Sequence, residues 1–306
     1  MGWLDICRRY YETYGAGLIK QNFPEYENKI AVGVAGQGSE KFGFDDEIST
    51  DHDYGVGFCM WVDEDVYNEI GFKLTRAYQS LPEEFEGLEK YKIRPYGTDR
   101  FGVISIPEFF LPLTGFKGAP ETLTAWVNTP EHFLATAVNG EIYRDDSGKF
   151  TQIRETIKNM PEDVRLKKIS ARLISMAQSG QYNFSRCLAH GEKGAAAIAL
   201  SEFVSNAVRL CYTLEGRYSP FYKWMFRGMK NLEKYSRFEE PLTAIVTAPV
   251  DERLSEEIEK ICSDFASCLR EEGLSNSNGI FLEPHAYEVQ KKIKTPEISG
   301  MHIMEG

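Results

Sequence analysis

Apolar and polar positions along this chain follow two different periods, and the mix changes near its middle. Trp3, Ile6, Cys7, Tyr10, Tyr14 and Leu18 recur at helical spacing, which predicts an amphipathic helix over Trp3 to Leu18. Lys29 to Ala35 reads KIAVGVA, a short β-branched run ending in glycines, and predicts a buried strand that runs into a tight turn. Val56 to Val62 predicts the next strand. Residues 63 to 80 return to helical spacing, with Val66, Ile70, Leu74 and Ala77 on one stripe and a stop at Leu81-Pro82. RFGVISIPEFF, residues 100 to 110, holds the next candidate strand, near residues 101 to 106, with Pro107 marking its end or an edge and opening a Pro/Gly-marked segment to Pro120. Thr122 to Ala137 reads as helix interrupted at Thr129-Pro130, and Asn139-Gly140 reads as a turn.

Beyond Asp145-Asp146-Ser147-Gly148, a plausible domain boundary, strand alternation stops. Three helical stripes follow: Val164 to Ala177, Leu200 to Leu214 with a stop at Gly216, and Leu254 to Leu269. The tail from Ser275 mixes polar turns with a short helix near Tyr287 to Ile293. The predicted class is α+β: an α/β domain with a mixed sheet over residues 1–147, then a helical domain over residues 148–306.

Composition narrows the partners. The chain carries a net charge of -11 and an isoelectric point of about 5.1, the wrong sign for gripping nucleic acid along its backbone, so no nucleic acid partner is expected. No apolar run reaches membrane-spanning length, and MGWLDICRRYYETYG places acids and aromatics where a signal peptide needs an apolar run, so a cytoplasmic protein is expected. Six dispersed cysteines without a C-x-x-C pair predict reduced core thiols.

The candidate chemistry lies where the first predicted strand ends. Gly36-Gln37-Gly38-Ser39 is followed, after eleven residues, by Asp51-His52-Asp53. Glycines admit close backbone approach, so the N–H groups around Ser39 and its hydroxyl can converge on an anionic oxygen. Asp51 and Asp53, two apart at the start of a strand, aim two carboxylates to one face and suit a hard cation; His52 then points to the opposite face. Each half alone also fits an ordinary turn or a solvated loop, and it is the conjunction that singles the segment out.

The run GQGSEKFGFDDEISTDHDYGVGF resembles the nucleotidyltransferase superfamily typified by DNA polymerase beta and kanamycin nucleotidyltransferase, whose pattern is Gly-Ser, a spacer of this kind, then Asp-x-Asp. Within it, the GFDDE and DHD wording and the tract from Arg217 to Trp224, RYSPFYKW, are similar to a bacterial family of nucleotidyltransferase-like proteins. The resemblance implies Gly38 and Ser39 as phosphate-binding and Asp51 and Asp53 as metal ligands for Mg²⁺ or Mn²⁺. It also implies a third carboxylate on a later strand; Glu108 is the candidate and Glu141 its competitor. If neither reaches the metals, the site binds nucleotide without turning it over.

The expected activity is transfer of a nucleoside monophosphate from a nucleoside triphosphate to a small-molecule or protein acceptor. The alternative is a non-catalytic nucleotide-binding regulatory or antitoxin-like protein. Lys41 is the cation near Ser39, and Tyr218 and Lys223 belong to a tract that concentrates cations and aromatics in an acidic protein. That tract suits a triphosphate or a stacked base, and equally a helix hairpin whose aromatics are core and whose cations reach solvent.

Overall fold

The computed structural model describes residues 2–45, 55–91 and 101–306 and is mixed α/β, with a helical C-terminal region. Two compact units form: Met1–Pro120 with Phe133–Lys158, and Glu121–His132 with Asn159–Gly306.

The first unit is built on a sheet of β1 (Ala31–Val34), β2 (Cys59–Val62), β5 (Gly102–Ser105) and β6 (Glu141–Arg144), in the order β5-β2-β1-β6. β1 pairs antiparallel with β2 and β6, and β2 pairs parallel with β5, so the sheet is mixed. The parallel pair needs a crossover, and helix Glu64–Gln79 supplies it, burying Val66, Ile70 and Leu74 as the stripe predicts. A small hairpin, β3 (Glu84–Phe85) and β4 (Leu88–Glu89), had no signal in the apolar pattern. Gly33 sits in mid-strand because a Cβ there would collide with the carbonyl oxygen of Glu141 on β6, where the register shifts.

The N-terminal helix runs Trp3–Tyr10, continues through a π-turn at Tyr11–Gly15 and ends as Ala16–Asn22. Trp3, Cys7 and Tyr10 are buried. Trp61 stacks on Phe150 at 4.1 Å between ring centroids. Phe150 belongs to helix Lys149–Lys158, so the sheet unit continues past the turn at Asp145 to Gly148.

The candidate strand near 101 to 106 appears as β5, but the Pro/Gly-marked segment that follows it begins as a helix. β5 ends at Ser105, and Ile106–Thr114 is a helix. Ser105 and Glu108 form a reciprocal capping box with Pro107 in the first turn, and this local chemistry starts a helix where β-branched residues alone read as extended.

In the second unit the predicted stripes appear as helices Glu162–Met176, Lys193–Leu214 and Arg253–Glu271, and helix Lys193–Leu214 packs on helix Glu162–Met176. Gly216, with φ +70°, follows the second helix at the predicted stop. Phe238 stacks on Phe265 at 4.1 Å in this core. The tail forms a helix at Leu282–Gln290. No disulfide links the six cysteines. Among the described residues, no helix is long and apolar enough to cross a membrane.

Candidate functional site

β1 feeds directly into Gly36-Gln37-Gly38-Ser39, and glycine is required twice there. Gly36 has φ +106° and Gly38 φ +132°, conformations that side chains with a Cβ rarely adopt. The turn is clamped from a distance in sequence. Asn139 Oδ1 accepts from the Gly36 N–H at 2.8 Å, and Asn139 Nδ2 donates to the Gly36 carbonyl at 2.7 Å, both out of solvent. Asn139 is itself held, because the buried Arg154 guanidinium donates to the carbonyls of Ala137 and Val138 at 3.0 Å and of Asn139 at 2.7 Å. Burial pulls the Arg154 pKa down to about 10, so it stays charged at neutral pH.

Ser39 is half-buried and opens a short 3₁₀ turn, Glu40–Phe42. Its carbonyl accepts from Phe42 N–H at 3.0 Å and Phe44 N–H at 2.9 Å, and its side chain does not cap the turn. Lys41 is only 1% exposed. Its ammonium lies 4.5 Å from the centroid of the Phe101 ring and 3.8 Å from where a Cβ on Gly36 would sit. The turn thus carries a buried cation beside Gly36, and the buried Glu40 carboxylate lies against Gly38.

Gly36, Gln37, Lys41 and Glu108 border one cavity of about 320 Å³, walled on its apolar side by Phe109 and Pro112. Glu108 reaches this space from a helix rather than a strand. Its Oε2 accepts from Ser105 Oγ at 2.9 Å and Ser105 N–H at 3.3 Å, so the carboxylate is already engaged in capping. Glu141, on β6, is paired with Arg8 at 2.9 Å and does not border the cavity.

Asp51, His52 and Asp53 lie outside the described residues. Among the described residues, no group of three or more His, Cys, Asp or Glu is placed to hold a metal. Tyr218 and Lys223 belong to the helical unit. Tyr218 is 7% exposed and burial pushes its hydroxyl pKa up, whereas Lys223 is exposed with its ammonium 4.6 Å from the Trp224 ring centroid. Asn139 and Arg154 are the contributors that sequence reading missed. Asn139-Gly140 announces a turn, but nothing in it signals a clamp on a glycine 103 positions earlier.

The model of a protein family described as a domain of unknown function (DUF4037) matches residues 126–225. Among solved structures, a nucleotidyltransferase-like protein from Exiguobacterium sibiricum 255-15 is 13% identical, with 91% of this chain and 80% of that chain covered and a TM-score of 0.35. No curated protein matches the chain.

Proposed function

We infer that the first unit carries a metal-dependent nucleotidyl transfer site, which moves a nucleoside monophosphate from a nucleoside triphosphate to a small-molecule or protein acceptor. The observation that carries this reading is the Gly36–Ser39 turn at the end of β1, forced open by two positive-φ glycines, clamped by Asn139 and flanked by the buried Lys41.

In this reading Gly38 and Ser39 present N–H groups and a hydroxyl to the outgoing phosphates, while Lys41 offsets their charge in a low-dielectric setting. Asp51 and Asp53, hard oxygen donors two positions apart, hold Mg²⁺ or Mn²⁺. A divalent cation held by Asp51 and Asp53 would supply neutralisation of the negative charge that develops during transfer. The acceptor is positioned in the cavity beside Glu108, which takes the proton of its hydroxyl.

One observation favours a second reading, nucleotide binding without turnover: both candidate third acids have other engagements, Glu108 with Ser105 and Glu141 with Arg8. Binding and turnover are therefore tested separately. Calorimetry with ATP and Mg²⁺ is expected to show Ser39→Ala weakening triphosphate binding by about 0.5 to 3 kcal/mol. Unchanged affinity would reduce the glycine segment to a plain turn. A chain that binds ATP in this Ser39-dependent way yet transfers nothing would favour the second reading.

A further inference from the structure

The helical unit contains a second concentration of charge, remote in sequence from the glycine turn. A cavity of about 280 Å³ is lined by Lys168, Arg172 and Arg209 together with a single carboxylate, Glu131. Glu131 is 5% exposed and is satisfied: Ser219 Oγ donates to it at 3.1 Å, Thr213 Oγ1 at 3.3 Å, and an Arg172 nitrogen stands 3.6 Å away. Burial raises its pKa, but Arg172 and Lys168 outweigh this and hold it below the usual carboxylate value, so it is ionised at neutral pH.

Three cationic side chains against one anionic one leave the lining with excess positive charge. Taking such charge out of water is costly unless it is compensated. The structure compensates incompletely. Lys168, 2% exposed, gives a 3.0 Å hydrogen bond to the Val127 carbonyl, a neutral partner. Arg172 Nη1 donates to the Gly306 carbonyl oxygen at 2.9 Å, yet its buried Nε–H meets no acceptor among the described residues. Even a carboxylate at Gly306 would leave positive charge in excess. Burial lowers the Lys168 pKa to about 8, opposed by Glu131 and aided by Arg172 and Arg209. The neighbouring His132 is also lowered, by burial first and Arg209 second, so it adds no charge at neutral pH.

The cavity has an aromatic side. Phe221 and Tyr222 line it, 39% and 69% exposed, with ring centroids 4.5 Å apart. Phe221 also packs on His132 at 5.5 Å, whereas Tyr222, among the described residues, touches no aromatic ring but Phe221 and stays open to solvent beside the buried cation cluster. Tilted 49° to each other, the two rings give an aromatic wall to a ligand whose anionic end lies deeper.

We propose that this cavity binds a small phosphorylated metabolite with a planar ring, of the nucleoside monophosphate class. Its phosphate sits against Lys168, Arg172 and Arg209, and its ring lies on Phe221 and Tyr222. The volume holds one phosphate and one ring system, not a polymer. Guanidinium groups match phosphate oxygens in bidentate geometry, and aromatic faces stack on bases with little regard to identity. The charged side chains that line the cavity, Glu131, Lys168, Arg172 and Arg209, fall within residues 126–225, the segment the family model matches. The proposal does not depend on the nucleotidyl transfer reading.

The test is calorimetric titration of the full chain with AMP, inorganic phosphate and adenosine, repeated on Arg209→Gln and Tyr222→Ala, both at partly or largely exposed positions. AMP and phosphate are expected to bind, with AMP the tighter and adenosine below detection. Arg209→Gln should weaken both anions roughly tenfold or more, as loss of a charge-assisted contact implies. Tyr222→Ala should weaken AMP by about tenfold and leave phosphate within about twofold. Circular dichroism checks that each variant is folded, and Arg209→Lys replaces Arg209→Gln if the latter is not. The proposal is overturned if the parent binds neither anion, or if AMP affinity survives Arg209→Gln. It is equally overturned if AMP binding is lost in Ser39→Ala and retained in the Arg209 variant, because the ligand would then occupy the glycine turn.

Discussion

At the scale of single residues, the candidate site depends on an amide that no local pattern reveals. Asn139 satisfies both buried backbone groups of Gly36. Asn139→Ala leaves a donor and an acceptor without partners, at about 1 to 3 kcal/mol each, so chemical denaturation should show a loss of about 2 to 6 kcal/mol. A loss under about 0.5 kcal/mol would mean that the turn holds its shape without this clamp. The glycines themselves were legible, because a strand that ends in Gly-x-Gly announces a backbone with unusual φ. The clamp was not, because its partners meet only once β1 and β6 pair. Lys41 was legible as a nearby cation, but not as one withdrawn from solvent over the Phe101 ring.

At the scale of elements, helical stripes were read with little error because burial of one face every 3.6 residues leaves a strong trace. Glu64–Gln79, Glu162–Met176 and Arg253–Glu271 fall where the pattern placed them. The failure at Ile106–Thr114 has a physical cause. Val103 to Phe110 is apolar enough for either period, and the Ser105–Glu108 box decides in favour of helix. Glu108 therefore has two separable duties. Glu108→Gln preserves a side chain that can cap, so its thermal midpoint should stay close to that of the parent, whereas Glu108→Ala should cost about 0.3 to 1.5 kcal/mol. If Glu108 is also the proton acceptor, Glu108→Gln loses turnover while keeping stability. Full turnover in that folded variant would leave Glu108 with capping alone.

At the scale of the whole molecule, two periods in one sequence foretold a sheet unit and a helical unit, yet the path between them was hidden. Helix Lys149–Lys158 follows a strong turn signal and still belongs with the sheet, because Phe150 lies against Trp61. Stability against pH gives a global readout of the buried cations. Lys168 has a folded pKa of about 8 against an ordinary 10.5, lowered by burial. Below pH 8 it is charged in both states and the penalty of burying it is fully present. Between about 8 and 10.5 the unfolded chain binds more protons, so this group's contribution rises with pH. Lys168→Met removes that rise, and the gap between variant and parent in denaturation experiments should narrow by about 2 to 3 kcal/mol from pH 7 to pH 10. A constant gap would mean that Lys168 titrates normally.

The central claim is that the glycine turn and the aspartate pair act together on a nucleoside triphosphate. It is tested most directly by supplying α-labelled triphosphates with Mg²⁺ or Mn²⁺ and following label transfer to candidate small molecules and proteins. The parent chain should transfer label only with metal present, and Asp51→Asn and Asp53→Asn, each shown to be folded, should abolish transfer. Undiminished transfer by either folded variant would contradict the account.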